Sequence, residues 1–158
     1  MKLAVAVYPK NKVSTTTIVL SYGLVVVIVS MVVSQLMTIE KFLPIIQSYQ
    51  LPGGLSTAKI TVFLLATSGI FALPFLMRMG LSPLFRICSA LCLNLYAIIW
   101  LKLALWLALF SVTVPATGVF GSLHIASDQE ILLVLASTLL SITFFVTWFL
   151  RNDLKQIK

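Results

Sequence analysis

Residues 16–37 read TTIVLSYGLVVVIVSMVVSQLM, an apolar run without a charge. At a rise of about 1.5 Å per residue, roughly 20 such residues carry a helix across a hydrocarbon layer of about 30 Å. In water the Val and Ile content would favour a strand. In lipid, every backbone N–H and C=O must be satisfied within the segment or in a closed barrel. A barrel is built from alternating segments of about ten residues, and this run is unbroken. It reads as a transmembrane helix.

Three further stretches follow the same rule: residues 60–77, residues 87–110 and residues 131–150. The third keeps its apolar character as far as Val114 and is interrupted by a single charge, Lys102. The expectation is an all-α membrane protein, a four-transmembrane-helix bundle forming a single membrane domain over residues 1–158. The composition of the 158-residue chain agrees, with 60% apolar residues and 9% charged, against about 45–50% and 25% in soluble domains. That balance excludes a water-soluble globule and a disordered chain. The formal charge of +7 is read as a membrane-topology signal, with no nucleic acid among the expected partners.

The connections carry their own punctuation. Pro52-Gly53-Gly54 marks a turn between the first two spans. Ser82-Pro83 is a capping hydroxyl followed by proline at a first helical position. Pro74 kinks or ends the second span. Ser127-Asp128-Gln129-Glu130 reads as a capping box opening the fourth span, its acids near the positive end of the helix dipole. Pairs of small residues at four-residue spacing (Ser30 and Ser34, Ser68 and Ala72, Ser137 and Ser141) read as packing seams where helices approach closely.

Basic residues divide unequally between the two faces. The N-terminus, the connection between spans two and three, and the C-terminus hold Lys2, Lys10, Lys12, Arg78, Arg86, Arg151, Lys155 and Lys158, with Asp153 the one acid. The opposite connections hold Lys41 and Lys59 with Glu40, Asp128 and Glu130. This asymmetry predicts a multi-pass protein with cytoplasmic N- and C-termini and the 38–59 and 115–130 connections outside. The apolar stretch before Lys10 is too short for a secretory signal, so span one is expected to remain as an uncleaved anchor.

Few residues offer chemistry. Cys88 and Cys92 share a helix face at i and i+4. That spacing is poor for a disulfide on an intact helix, so they read as small packing hydrophobes. Lys102, between Trp100 and Trp106, lies about sixteen residues beyond Arg86 and so in the outer half of its span. It either snorkels toward the interface or faces the bundle interior. Asn94 reads as an interhelical hydrogen-bonding group. His124 has only Asp128 and Glu130 near it in sequence, so no metal site is expected. No span carries a carboxylate, and no catalytic set, phosphate loop or cofactor motif is evident.

Residues 42–55 read FLPIIQSYQLPGGL, and residues 116–121 read ATGVFG. The first resembles the F-x6-Y-x-L-P-type stretch of the MauE branch of the DoxX-like family of four-helix membrane proteins. The second resembles that family's C-G-C-F-G signature before the fourth span. Gly118, Phe120 and Gly121 match, while Thr117 and Val119 stand where the family has cysteines. Ser68 falls near the position of a glutamate carried by many relatives. The resemblance implies a bacterial inner-membrane protein supporting maturation of a periplasmic redox enzyme, such as the amine dehydrogenase of methylamine utilisation, through a protein partner in the membrane or periplasm. Thiol–disulfide exchange needs a thiolate, so the chain is expected to act as an accessory to chemistry done elsewhere. Thr117, Gly118, Phe120 and Gly121 are its candidate residues. The alternatives are a quinone-linked thiol oxidoreductase using Cys88 and Cys92 with Lys102 near a quinone, or a structural subunit of a larger membrane complex.

Overall fold

The computed structural model describes residues 15–110, 114, 117–120 and 129–150. These residues form five helices: α1 (Thr15–Met37), α2 (Ile39–Ser48), α3 (Gly54–Leu76), α4 (Pro83–Phe110) and α5 (Gln129–Leu150). Four of them, α1, α3, α4 and α5, are long and apolar enough to cross a membrane. The protein is thus an all-α bundle of four membrane-spanning helices. α4 packs between α3 and α5, and α1 closes against α3 and more lightly against α5.

Each long helix is apolar on all sides, so lipid rather than water is the solvent of its outer face. Ile28, Met31, Leu65, Leu93, Trp100, Leu107 and Leu132 are fully buried in the centre. Val26, Phe63, Leu91, Leu109 and Phe144 are exposed on the outside. Three helices approach one another closely at Gly69. A Cβ there would collide with a methyl of Val32 on α1 and come within 3.2 Å of the Tyr96 ring on α4. Beside it, Ser68 and Ala72 are buried, so this pair is a packing seam. Ser30, Ser137 and Ser141 instead face outward, and their hydroxyls return to backbone carbonyls of their own helices: Ser30 to Val26, Ser137 to Val134, Ser141 to Ser137. For those three the packing expectation is corrected. A hydroxyl that satisfies itself against its own helix can face lipid.

The apolar runs underestimate the helices. α3 begins at Gly54, ahead of residue 60, and α4 at Pro83, ahead of residue 87. Backbone hydrogen bonding, not hydropathy, decides where a helix starts. Ser82 accepts from Phe85 N through its side chain at 3.3 Å and from Arg86 N through its carbonyl at 2.9 Å. Arg86, expected in the connection, is therefore in the first turn of α4, where it is buried. Gly53 caps α3 in a left-handed conformation (φ +98°), and a Cβ there would run into the Thr57 hydroxyl. Residues 127 and 128 of the expected capping box lie outside the described residues.

The largest departure is α2. Its ten residues contain Pro44, Glu40 and Lys41 and read as loop, yet they form an amphipathic helix. Phe42 and Ile46 are buried while Glu40, Lys41 and Gln47 are exposed. α2 packs against α3 and α1, at the end of the bundle where α1 finishes and α3 begins.

Candidate functional site

At the α2 end, two distant parts of the chain are tied together by buried polar groups. Tyr49, the residue that ends α2, is fully buried. Its hydroxyl donates to the Thr117 carbonyl at 2.5 Å. Its own carbonyl accepts from the Trp106 indole N–H at 3.0 Å, so α4 holds the residue from the other side. From α1, Gln35 Nε2 donates to the Val119 carbonyl at 2.8 Å. Two side chains, Tyr49 and Gln35, thus bond the backbone of residues 117–119, and Trp106 braces Tyr49 from α4.

Gly118 lies between these two carbonyls with φ +68°, the left-handed region glycine occupies at little cost. A Cβ at this position would meet the Phe42 ring at 3.0 Å and Ile45 at 3.1 Å. The segment therefore lies flat on α2 because residue 118 has no side chain. Thr117, Gly118 and Val119 are all buried and Phe120 is half-buried. Burial pushes the Tyr49 phenol above its ordinary pKa, which keeps it protonated and able to donate across the physiological range.

Below this contact the polar path enters the bundle. Tyr96 Oη, Trp100 Nε1 and Gln35 Oε1 are buried there, none of them with a hydrogen-bond partner. Gln35 links this interior group to residue 119. Sequence reasoning passed over Gln35 and Tyr96, since an amide or aromatic within a span usually serves packing alone, and took Trp106 only as an interface-type neighbour of Lys102. The signal was Gln35 itself, an amide one turn from the end of a charge-free helix.

The other candidates separate. Gly121 lies outside the described residues. Asn94 bridges α4 and α5 as expected, its Nδ2 donating to Thr147 Oγ1 at 3.1 Å. Cys88 is exposed and Cys92 half-buried, both as free thiols. They face the lipid side of α4 rather than packing into the core, because the inward stripe is taken by Ser89, Leu93, Tyr96 and Trp100. Lys102 is exposed on the same outward side, and no group of residues able to hold a metal occurs among the described residues.

The arrangement can hold a backbone segment rigidly at one end of the bundle, with no thiol, metal ligand or acid–base pair within it. Comparison with known proteins returns no match to a family model, a curated protein or a solved structure.

Proposed function

We propose that the chain is a MauE/DoxX-like accessory protein of the bacterial inner membrane, with both termini in the cytoplasm and the α2 end facing the periplasm. There it holds a membrane or periplasmic partner during maturation of a periplasmic redox enzyme of the amine-dehydrogenase kind. The observation carrying this reading is the hydrogen bond from Tyr49 to the Thr117 carbonyl. It joins the two short stretches, 42–55 and 116–121, in which the resemblance to that family resides. Residues 117–119 are themselves buried and act as an anchor, and a pre-ordered anchor saves the entropy of ordering the face around it on association. Thr117 and Val119 supply no thiolate, and electron transfer through disulfides falls to the partner.

Deletion and complementation test the reading. Loss of the gene should leave the host's thiol-rich periplasmic enzyme with unpaired cysteines, as scored by thiol alkylation and mass measurement. Wild type and a Cys88→Ser/Cys92→Ser double variant should restore pairing, and Gly118→Val should not. Reporter fusions at the two chain ends should both report the cytoplasm. Failure of the double serine variant would transfer the function to a quinone-linked thiol oxidoreductase, and ends on opposite faces would remove the periplasmic docking surface.

A further inference from the structure

Between α3 and α4, at the α2 end, lies a cavity of about 300 Å³, at the lower bound of volumes that hold small ligands. Its walls are mainly apolar, with Leu64, Ile99 and Trp106 among them, while Thr57, Thr61 and Lys102 add polar groups. Two of the polar groups are already engaged. Trp106 Nε1 donates to the Tyr49 carbonyl, and the Thr57 hydroxyl donates to the Pro52 carbonyl at 2.8 Å. Lys102 is the cation of the cavity, and no acid lines it.

Depth decides what such a cation meets. α4 has 28 residues, about 42 Å at the helical rise, so it overreaches a hydrocarbon core of about 30 Å by roughly 6 Å at each end. Lys102 is eight residues from Phe110, about 12 Å along the axis, which places its Cα roughly 6 Å below the headgroup boundary. The lysine stem can cover that distance, carrying the ammonium to the phosphate level. The cavity lies alongside, at hydrocarbon depth, where an acyl chain against its apolar walls gains dispersion contacts. The start of α3 at Gly54 adds the positive end of a helix dipole to the same corner.

We propose that this cleft is a binding site for an anionic phospholipid. One acyl chain lies in the cavity between α3 and α4, and the phosphate pairs with Lys102. The site adjoins the anchored segment through Trp106, which lines the cavity and also donates to the Tyr49 carbonyl, but its occupant is a lipid between α3 and α4 and not the protein partner proposed above.

Native mass spectrometry of the purified full-length chain tests the site, with phosphatidylglycerol, phosphatidylcholine and oleate titrated in turn. A lysine near a headgroup favours an anionic lipid by about fivefold. Wild type should therefore retain phosphatidylglycerol over phosphatidylcholine by about that factor. Lys102→Ala should abolish the preference and Lys102→Arg should keep it. Thr61→Phe, which fills the cavity and leaves the charge, should lower retention of both phospholipids. Removing a charge from a span does not threaten insertion, so Lys102→Ala reads the site rather than the fold. Equal retention of the two phospholipids by wild type overturns the proposal. So does a loss confined to only one of Lys102→Ala and Thr61→Phe. Displacement of phosphatidylglycerol by equimolar oleate would assign the cleft to free fatty acids instead, and likewise overturns it.

Discussion

The phenol of Tyr49 and the carbonyl of Thr117, 68 residues apart in the chain, are joined by a buried 2.5 Å hydrogen bond. Tyr49 ends a short helix packed against α1 and α3, and Thr117 begins the segment that rests on it. Gln35 holds Val119 from α1, and Trp106 braces Tyr49 from α4, so two side-chain bonds anchor the segment and a third fixes one of the anchors.

Removing the hydroxyl in Tyr49→Phe takes a donor from a buried carbonyl, a change that typically costs about 1–3 kcal/mol. The aromatic ring stays in place, so packing should be conserved. The expected outcome is a lower midpoint in denaturant titration of the detergent-solubilised protein, with unchanged helical content by far-UV circular dichroism. An unchanged midpoint would show that the bond contributes nothing.

The same bond has a pH signature. Burial raises the Tyr49 phenol above its ordinary value of 10.0. A group whose pKa is higher in the folded than in the unfolded state contributes stability that is complete below the unfolded value and is lost as pH climbs toward the folded one. The stability difference between wild type and Tyr49→Phe should accordingly be constant from pH 6 to 9 and shrink above about pH 10. Unfolding midpoints of the two proteins measured in parallel across that range check it, because other alkaline titrations cancel in the difference.

Gly118 allows the segment to lie on α2. Its φ of +68° disfavours any L side chain, and Phe42 and Ile45 stand 3.0 and 3.1 Å from where a Cβ would be. Left-handed strain costs about 1–2 kcal/mol for an L residue and overpacking about 1–3 kcal/mol. Gly118→Val should therefore lift the segment off α2 while leaving the four long helices intact. Faster proteolysis within residues 111–128 than in wild type, with unchanged helicity, is the expected result.

The long helices were legible because the bilayer leaves one solution for an uncharged run of about 20 residues. α2 was not, since Pro44 and two adjacent charges mask its apolar stripe of Phe42, Ile46 and Tyr49. Its helicity depends on tertiary contact with α1 and α3, as expected for a helix of only ten residues. A resemblance to motifs of a known family singled out residues 42–55 and 116–121, but nothing local says that the two stretches touch. That contact depends on Tyr49, Gln35 and Trp106, three residues whose partners are backbone groups far away in sequence. The cysteines were misplaced for a related reason. Helical spacing puts Cys88 and Cys92 on one face without saying which face turns inward.

Cys88 and Cys92 lie outside the bundle core, on an unbroken helix. Their replacement by serine removes no core contact and exposes two hydroxyls that can bond to carbonyls one turn back. Cys88→Ser/Cys92→Ser should shift the unfolding midpoint by no more than a typical surface substitution, about 0.5 kcal/mol. Both wild-type thiols should be alkylated by maleimide after acid quenching of cells and denaturation without reductant, as free thiols. A mass 2 Da below that of the free-thiol chain would instead reveal a disulfide, which the i, i+4 geometry disfavours.

Ser89 offers a sharper test of how the bundle tolerates Pro74. The Phe75 N–H donates to Ser89 Oγ at 3.2 Å, and the same hydroxyl donates to the Phe71 carbonyl. A side chain of α4 is thus inserted between two backbone groups of α3 that a regular helical turn would join directly. Proline within a helix displaces the carbonyls of the preceding turn, and in lipid the freed groups need partners from a neighbouring helix. Hydrogen bonds between membrane helices average about 0.6 kcal/mol, whereas buried backbone groups left unsatisfied cost about 1–3 kcal/mol. Ser89 serves two such groups at once, so Ser89→Ala should cost about 1–2 kcal/mol, and Ser89→Thr, which keeps the hydroxyl, should cost less. Combining each with Pro74→Ala separates the causes. If the hydroxyl compensates for the proline, Ser89→Ala should cost little in the Pro74→Ala background, where the α3 ladder can close by itself. An undiminished cost there would mean that Ser89 stabilises the α3–α4 contact regardless of Pro74.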